Sequence, residues 1–218
     1  MRPRSEIVVY SHSRLESFTK CRLKYKFKYL DHIPPQREGI ELFLGNRVHN
    51  VLEKLYRDLW TGRVNRLDEL KEFYAFRWNE EWHQQIHVAR TGETVDDYFA
   101  YGLDCIDNFY RENYPFKQSR TVALEEKVEF NLDSGGSRRF QGYVDRRASR
   151  PDRTCEIHDY KTSRSRRSPG RSELIQLSLY QVAFNPCTLR SKRSSWFPIS
   201  CAAEKRFVSS SPTVTSCR

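Results

Sequence analysis

Between Thr121 and Ser163 the chain reads as three strands in succession. "TVALEEKVEFNL" is alternating and rich in β-branched residues, "DSGGS" is a turn, and "RRFQGYVDRRAS" returns. "RPD" turns again, and "RTCEIHDYKTS" is the third strand. Alternating runs bounded by clusters of Gly, Pro, Asp and Ser pair as hairpins, so this stretch predicts an antiparallel meander. The rest of the fold has to be arranged around it.

The hundred or so residues before the meander follow a helical period instead. "SHSRLESFTKCRLKYKFKYLDHIPP" opens with a cap at Ser11 or Ser13. It carries Leu15, Phe18, Leu23, Phe27 and Leu30 at roughly helical spacing and closes at Pro34 and Pro35. "LGNRVHNVLEKLYRDLWTG" is a second helix with an apolar stripe at Val48, Leu52, Leu55 and Leu59, ended by Gly62. His49 lies at the border of that stripe. From Leu67 to Tyr114 the pattern is helical and aromatic, interrupted at "ARTGET". This predicts a helical insertion over about residues 66–115. After the meander and the basic loop "RSRRSPGR", Ser172 is placed to cap a helix "ELIQLSLYQVAF" that turns Leu174, Leu177 and Ala183 to the sheet. Residues 1–185 are thus expected to form one α/β (α+β) domain, and 186–218, rich in Ser, Arg and Cys, an irregular tail.

Composition narrows the class. The 13 Phe and 12 Tyr supply a core despite an apolar fraction of 38%. No apolar run is long enough to span a bilayer and the first residues lack a secretory pattern, so a cytoplasmic, reducing setting and no membrane partner are expected. The six cysteines are then free thiols or metal ligands rather than disulfides. Of the net charge of +10, a surplus of seven falls between Arg138 and Arg171, with eleven Lys or Arg against four Asp or Glu. Such a surplus suits a phosphate backbone; a solvated surface is the plainer alternative.

The chemistry is concentrated in four places: His49 in "GNRVH", Asp145 in "GYVDR", Asp159 and Lys161 in "DYKT", and Gln176 with Tyr180 in "QLSLY". Taken singly, each has a structural explanation, a strand-end salt bridge in the case of Asp159 and Lys161. Together they say more. Every second side chain of a strand shares a face, so Asp159 and Lys161 point the same way. Asp145 lies on the neighbouring antiparallel strand and can stand opposite Asp159. Two close carboxylates repel unless a cation lies between them. Mg²⁺ takes oxygen ligands, and an imidazole from His49 would favour Mn²⁺. Lys161 could then stabilise charge developing on a phosphoryl group.

This ordered set resembles the PD-(D/E)XK nuclease superfamily, in particular its RecB-like branch of AddB-type helicase-nuclease subunits and CRISPR-associated RecB-like exonucleases. The resemblance runs from Ser11 to Phe184 and includes the N-terminal segment with Cys21 followed by aromatics. It implies a restriction-endonuclease-like mixed central sheet flanked by helices. It implies a metal-dependent DNA nuclease, an exonuclease in repair, recombination or CRISPR-related processing, with DNA (single-stranded or with free ends) as substrate and helicase or CRISPR adaptation proteins as partners. It gives His49, Asp145 and Asp159 to the metal (Mg²⁺ or Mn²⁺), Lys161 to catalysis, and Gln176 and Tyr180 to support of the site or contact with DNA. Glu126, on the preceding strand, takes a place often acidic in that branch. Arg146, Arg164, Arg166, Arg167 and Arg171 are expected to contact the nucleic acid backbone. Some members hold an iron–sulfur cluster on four cysteines. Here Cys21 would be the first ligand, but Cys187, Cys201 and Cys217 are spaced too widely, so no cluster is expected and Cys21 is read as a small buried side chain. A catalytically weak or inactive nucleic-acid-binding module of the same fold is the alternative.

Overall fold

The structure is a computed structural model that describes residues 7–152, 154–163, 170–184 and, for the backbone, 192–200. A short strand β1 (Val8–Tyr10) leads into helix α1 (His12–Lys20), whose N-cap is Ser11, its hydroxyl accepting the Arg14 amide. The chain then breaks at Cys21 into a one-turn helix α2 (Arg22–Tyr25) that widens to a π-turn at Lys26–Leu30. Where the spacing predicts one helix, this segment has three short pieces. Its apolar residues, Leu15, Phe18, Leu23, Phe27 and Leu30, are exposed rather than packed.

A two-residue strand β2 (Glu38–Gly39) precedes the long helix α3 (Ile40–Trp60). Helix α4 (Leu67–Glu80), a two-residue strand β3 (Ile86–His87) parallel to β2, and helix α5 (Val95–Asn113) follow. At the break "ARTGET", Thr94 caps α5, exchanging hydrogen bonds with Asp97. The meander then forms as β4 (Arg120–Asn131), β5 (Arg138–Ser149) and β6 (Cys155–Ser163), followed by α6 (Arg171–Ala183). Gly170, not Ser172, is the N-cap residue of α6, and Leu174 points to solvent while Leu177 is buried. A further strand, β7 (Lys192–Ser200), pairs in parallel with β6 along its whole length. That stretch was expected to be irregular. The parallel partner is reached by a helical crossover, and such pairings leave no local turn signal.

The sheet is mixed. β5 has three partners on its two edges. One edge is paired along nearly its full length by β4. The other edge is paired by β1 only at 138–140 and by β6 only at 146–149. Neither ladder covers 141–145, which leaves a notch in that edge. Helices α3, α4 and α5 cover one face through Val48, Leu52, Leu55, Leu70, Tyr74 and Ile106, with Tyr160 reaching them from the sheet. On the other face Val128, Phe140, Val144 and Ile157 pack against Tyr180 of α6. The fold is therefore the expected central mixed sheet flanked by helices. No helix among the described residues is long and apolar enough to cross a membrane.

Candidate active site

The two strands β4 and β5 change sidedness at one point. Val128 and Phe130 on β4, with Phe140 and Val144 on β5, belong to the α6 side. Beyond it, Leu124 packs with the α3 side, and Arg146 lies over the Tyr56 ring of α3, 3.9 Å from its centroid. The register runs Leu124↔Arg146 and Glu126↔Val144, so Glu125 and Asp145 stand opposite each other at the switch. Glu125 accomplishes it with a left-handed φ of 47°. An L-residue in that conformation is strained, and such strain gathers at functional sites.

Asp145 stands at the notch. Its Oδ2 accepts the Tyr160 backbone amide at 2.6 Å, so a side chain continues the ladder where the backbones part. Its Oδ1 lies 3.5 Å from His49 Nδ1. His49 Nε2 is 3.0 Å from the Tyr160 carbonyl, and because a carbonyl only accepts, Nε2 carries the hydrogen. Nδ1 is the nitrogen presented to the carboxylates. Gly45, one turn earlier on α3, allows this approach: a Cβ there would stand 3.3 Å from Thr162 Oγ1.

Asp159, only 3% exposed, is held by two partners. Gln176 Nε2 donates to its Oδ1 at 3.1 Å and also to the Tyr180 hydroxyl at 2.9 Å. Lys161 Nζ lies 2.7 Å from its Oδ2. The ammonium neutralises the carboxylate and engages its buried oxygen. Asp159 and Lys161 therefore do share a face and do form a salt bridge, and the bridge opens into the notch. Gly142 lets Tyr180 in, since a Cβ there would fall 2.6 Å from the ring.

The charges register the crowding. Burial, then the nearby Asp145 carboxylate, push the Asp159 carboxyl above its ordinary range, with Lys161 working against them. Although Glu125 stays exposed as a residue, its carboxyl is partly desolvated beside Asp145 and is pushed up to about 7. Burial works against a charge on His49, but the Asp145 carboxylate outweighs it and raises the imidazole pKa.

Several expected residues sit elsewhere. Arg146 does not contact nucleic acid from this position. It is 3% exposed and donates to Thr121 Oγ1 and to the Ser119 carbonyl, both at 2.9 Å. Glu126 forms a two-pronged ion pair with Arg147, at 2.6 and 2.9 Å, and Glu125, one residue earlier, is the carboxylate that feels Asp145. Cys21 is exposed rather than buried, and its Sγ accepts the Lys24 amide. Arg171 is exposed in the first turn of α6. Arg164, Arg166, Arg167, Cys187, Cys201 and Cys217 lie outside the described residues.

A cleft of about 590 Å³ opens beside Lys161, lined by Gln141, Gly142 and Tyr143 of the notch, by Gln176 and Tyr180, and by the start of α1. Among the described residues no three His, Cys, Asp or Glu side chains already surround one point as a metal cage. Both aspartates are instead engaged by protein donors. The donor set nonetheless suits a hard divalent cation: two carboxylates that repel one another and an imidazole nitrogen beside that of Asp145.

A mixed sheet between helices, with carboxylates on adjacent strands and a lysine two residues after the second, is a restriction-endonuclease-like fold, its candidate site where the inner strands β5 and β6 part. The profile of the PD-(D/E)XK nuclease superfamily matches residues 9–205, and the chain belongs to that superfamily. Its members are in general nucleases, that is, hydrolases. Among the curated proteins none matches the chain.

Proposed function

We propose that this chain is a Mg²⁺- or Mn²⁺-dependent deoxyribonuclease that hydrolyses phosphodiester bonds in DNA as an exonuclease of RecB-like type. The observation that carries this reading is the meeting of Asp145, Asp159, Lys161 and His49 at one notch of the sheet. Asp145, Asp159 and the His49 Nδ1 would hold the cation, with Glu125 close enough to add a carboxylate. A divalent ion bound there lowers the pKa of a coordinated water and offsets phosphoryl charge. Gln176 fixes the orientation of Asp159 through one carboxylate oxygen, and Tyr180 fixes Gln176. The Lys161 ammonium, one pleat beyond Asp159, faces the cleft and stabilises negative charge on the reacting phosphate. Arg164, Arg166, Arg167 and Arg171 would follow the backbone without reading sequence. Service in repair, recombination or CRISPR-linked processing, beside a helicase or adaptation proteins in the cytoplasm, follows from the RecB-like resemblance.

The test is end-labelled linear DNA, single- and double-stranded, with and without Mn²⁺ or Mg²⁺. Asp145→Ala and Lys161→Ala should abolish metal-stimulated cleavage, by about a hundredfold or more, while leaving most DNA binding. Either variant cleaving at the wild-type rate would sink the assignment. One observation favours a second reading: the aspartate oxygens are already drawn to protein donors. A catalytically weak or inactive binding module would hold DNA with no metal-stimulated loss of substrate.

A further inference from the structure

The segment from His12 to Leu30 contains no buried residue in any of its three pieces. Nineteen residues with no fully buried side chain among them are costly to order unless something covers them. The described body anchors only their start. His12 Nε2 donates to the Ser172 carbonyl at 2.9 Å, Ser172 Oγ donates to Glu16 at 3.0 Å, and Arg14 donates to the Val9 carbonyl at 2.7 Å.

The exposed surface has a particular chemistry. Lys20, Arg22, Lys24, Lys26 and Lys28 alternate with aromatic and apolar side chains. Lys20 and Lys26 have carboxylate partners, Glu16 and Asp31. Among the described residues Arg22, Lys24 and Lys28 form no ion pair; Arg22 lies over the Phe18 ring and Lys28 over the Tyr29 ring. Phe18 and Phe27 are 48% and 43% exposed, Phe18 with Arg22 over one ring face and Tyr25 packed edge-on, so each leaves part of its surface to solvent. Flat aromatic faces between unpaired cations suit a polyanion that also carries stackable rings. Duplex DNA hides its base faces, whereas a single strand presents them.

The surface is also continuous with the site. Ser11, His12 and Ser13, at the start of the segment, line the same cleft as Lys161 and Gln176. We propose that the exposed segment from Ser11 to Leu30 is a binding track for single-stranded nucleic acid, with Phe18 and Phe27 as stacking platforms and Lys24 and Lys28 as phosphate contacts, leading a strand to Lys161. This rests on the nuclease reading above and names the strandedness of its substrate.

The experiment is fluorescence anisotropy in a metal chelator, so that binding is read without cleavage. The probe is a single-stranded deoxyoligonucleotide of about twelve nucleotides, against the matching duplex. Phe18→Ala with Phe27→Ala should weaken single-strand binding about tenfold and duplex binding little. Lys24→Gln with Lys28→Gln should flatten the salt dependence. Photo-crosslinking of a 4-thiothymidine-substituted oligonucleotide to the wild-type protein, which needs no variant to fold, should label the stretch 18–29. Wild-type affinity in the aromatic variant, equal losses for single strand and duplex, or crosslinks confined to other segments would each overturn the track. So would concentration-dependent self-association removed by the aromatic variant with oligonucleotide binding intact, because the surface would then belong to a second copy. Failure of the nuclease reading looks different: single-strand binding as described, and no metal-stimulated cleavage of any DNA.

Discussion

At the scale of single residues the site turns on which neighbour of a pair faces inward. Glu125 and Glu126 are adjacent, yet one feels Asp145 and the other neutralises Arg147. Glu125→Gln should lower metal affinity, read by calorimetry with Mn²⁺, and cleavage by about tenfold or more. Glu126→Gln should leave metal affinity alone and cost at most about 1 kcal/mol of stability in urea, as expected for a partly exposed pair. A reversed pattern would return the role to Glu126. The two could not be told apart in the sequence, because the choice depends on a register shift between Thr121 and Ala123 and on a left-handed residue, neither of which has a compositional signature. Arg146 and Arg147 pose the same problem. Both looked like surface charge in "DRR", but Arg146 spends its donors on Thr121 and Ser119 inside the protein. Arg146→Met should therefore cost about 2–4 kcal/mol of stability, because buried acceptors are orphaned, and should not alter the affinity of folded protein for DNA.

At the scale of elements, β6 carries two unlike faces. Asp159 and Lys161 serve the notch, while Glu156, His158 and Tyr160 face the α3 side. This division was legible, because alternation in a strand is a hard geometric rule and the "DYK" spacing obeys it. The electrostatics of the inner face was not. His158 is buried between Arg146 and Glu156, each 3.2 Å from its Nε2. Burial, with Arg146 assisting, lowers its pKa from 6.5 to about 4, so it is neutral in the fold at pH 7. Glu156 also pairs with Arg150. Burial opposes its charge, but the His158 and Arg150 contacts prevail and lower its pKa from 4.5 to about 2. For both groups the unfolded chain takes up protons first on acidification. The contribution of these two groups is therefore full above about pH 6.5, falls between about 6.5 and 4 as unfolded His158 is protonated, and falls further below about 4.5 through Glu156, while Glu125, raised to about 7, works in the opposite direction between about 7 and 4.5. Each group contributes a slope of at most about 1.4 kcal/mol per pH unit. Urea unfolding of the wild type and of His158→Asn across this range should show the His158 limb as the difference between the two profiles. Identical pH dependence of unfolding in the wild type and His158→Asn between pH 7 and 5 would contradict the buried neutral imidazole.

For the whole molecule, the order of elements brings helices from opposite ends of the sequence to one notch: α3 supplies His49, the meander the carboxylates, and α6 the glutamine that fixes Asp159. The helices and the meander were readable because their signals are local. The outer strands β1 and β7 were not, since both pair in parallel with strands far away in sequence, and parallel pairing leaves no turn signature of its own. The expected domain end near residue 185 would leave β7 out. Its ladder with β6 runs from Cys155↔Lys192 to Ser163↔Ser200, and thus spans Asp159 and Lys161. Without it, β6 becomes an edge strand with unpaired backbone groups, and edges of that kind invite pairing between chains. A chain ending after Phe184 should therefore express mainly as aggregate. Its soluble fraction should lose β-sheet signal in circular dichroism and elute as oligomer in size-exclusion chromatography. It should also show no metal-stimulated cleavage, even though every proposed catalytic side chain is present. A monomeric truncated chain that unfolds cooperatively at the wild-type urea midpoint would show that β7 is dispensable and that β6 is held in place by β5 and α6 alone.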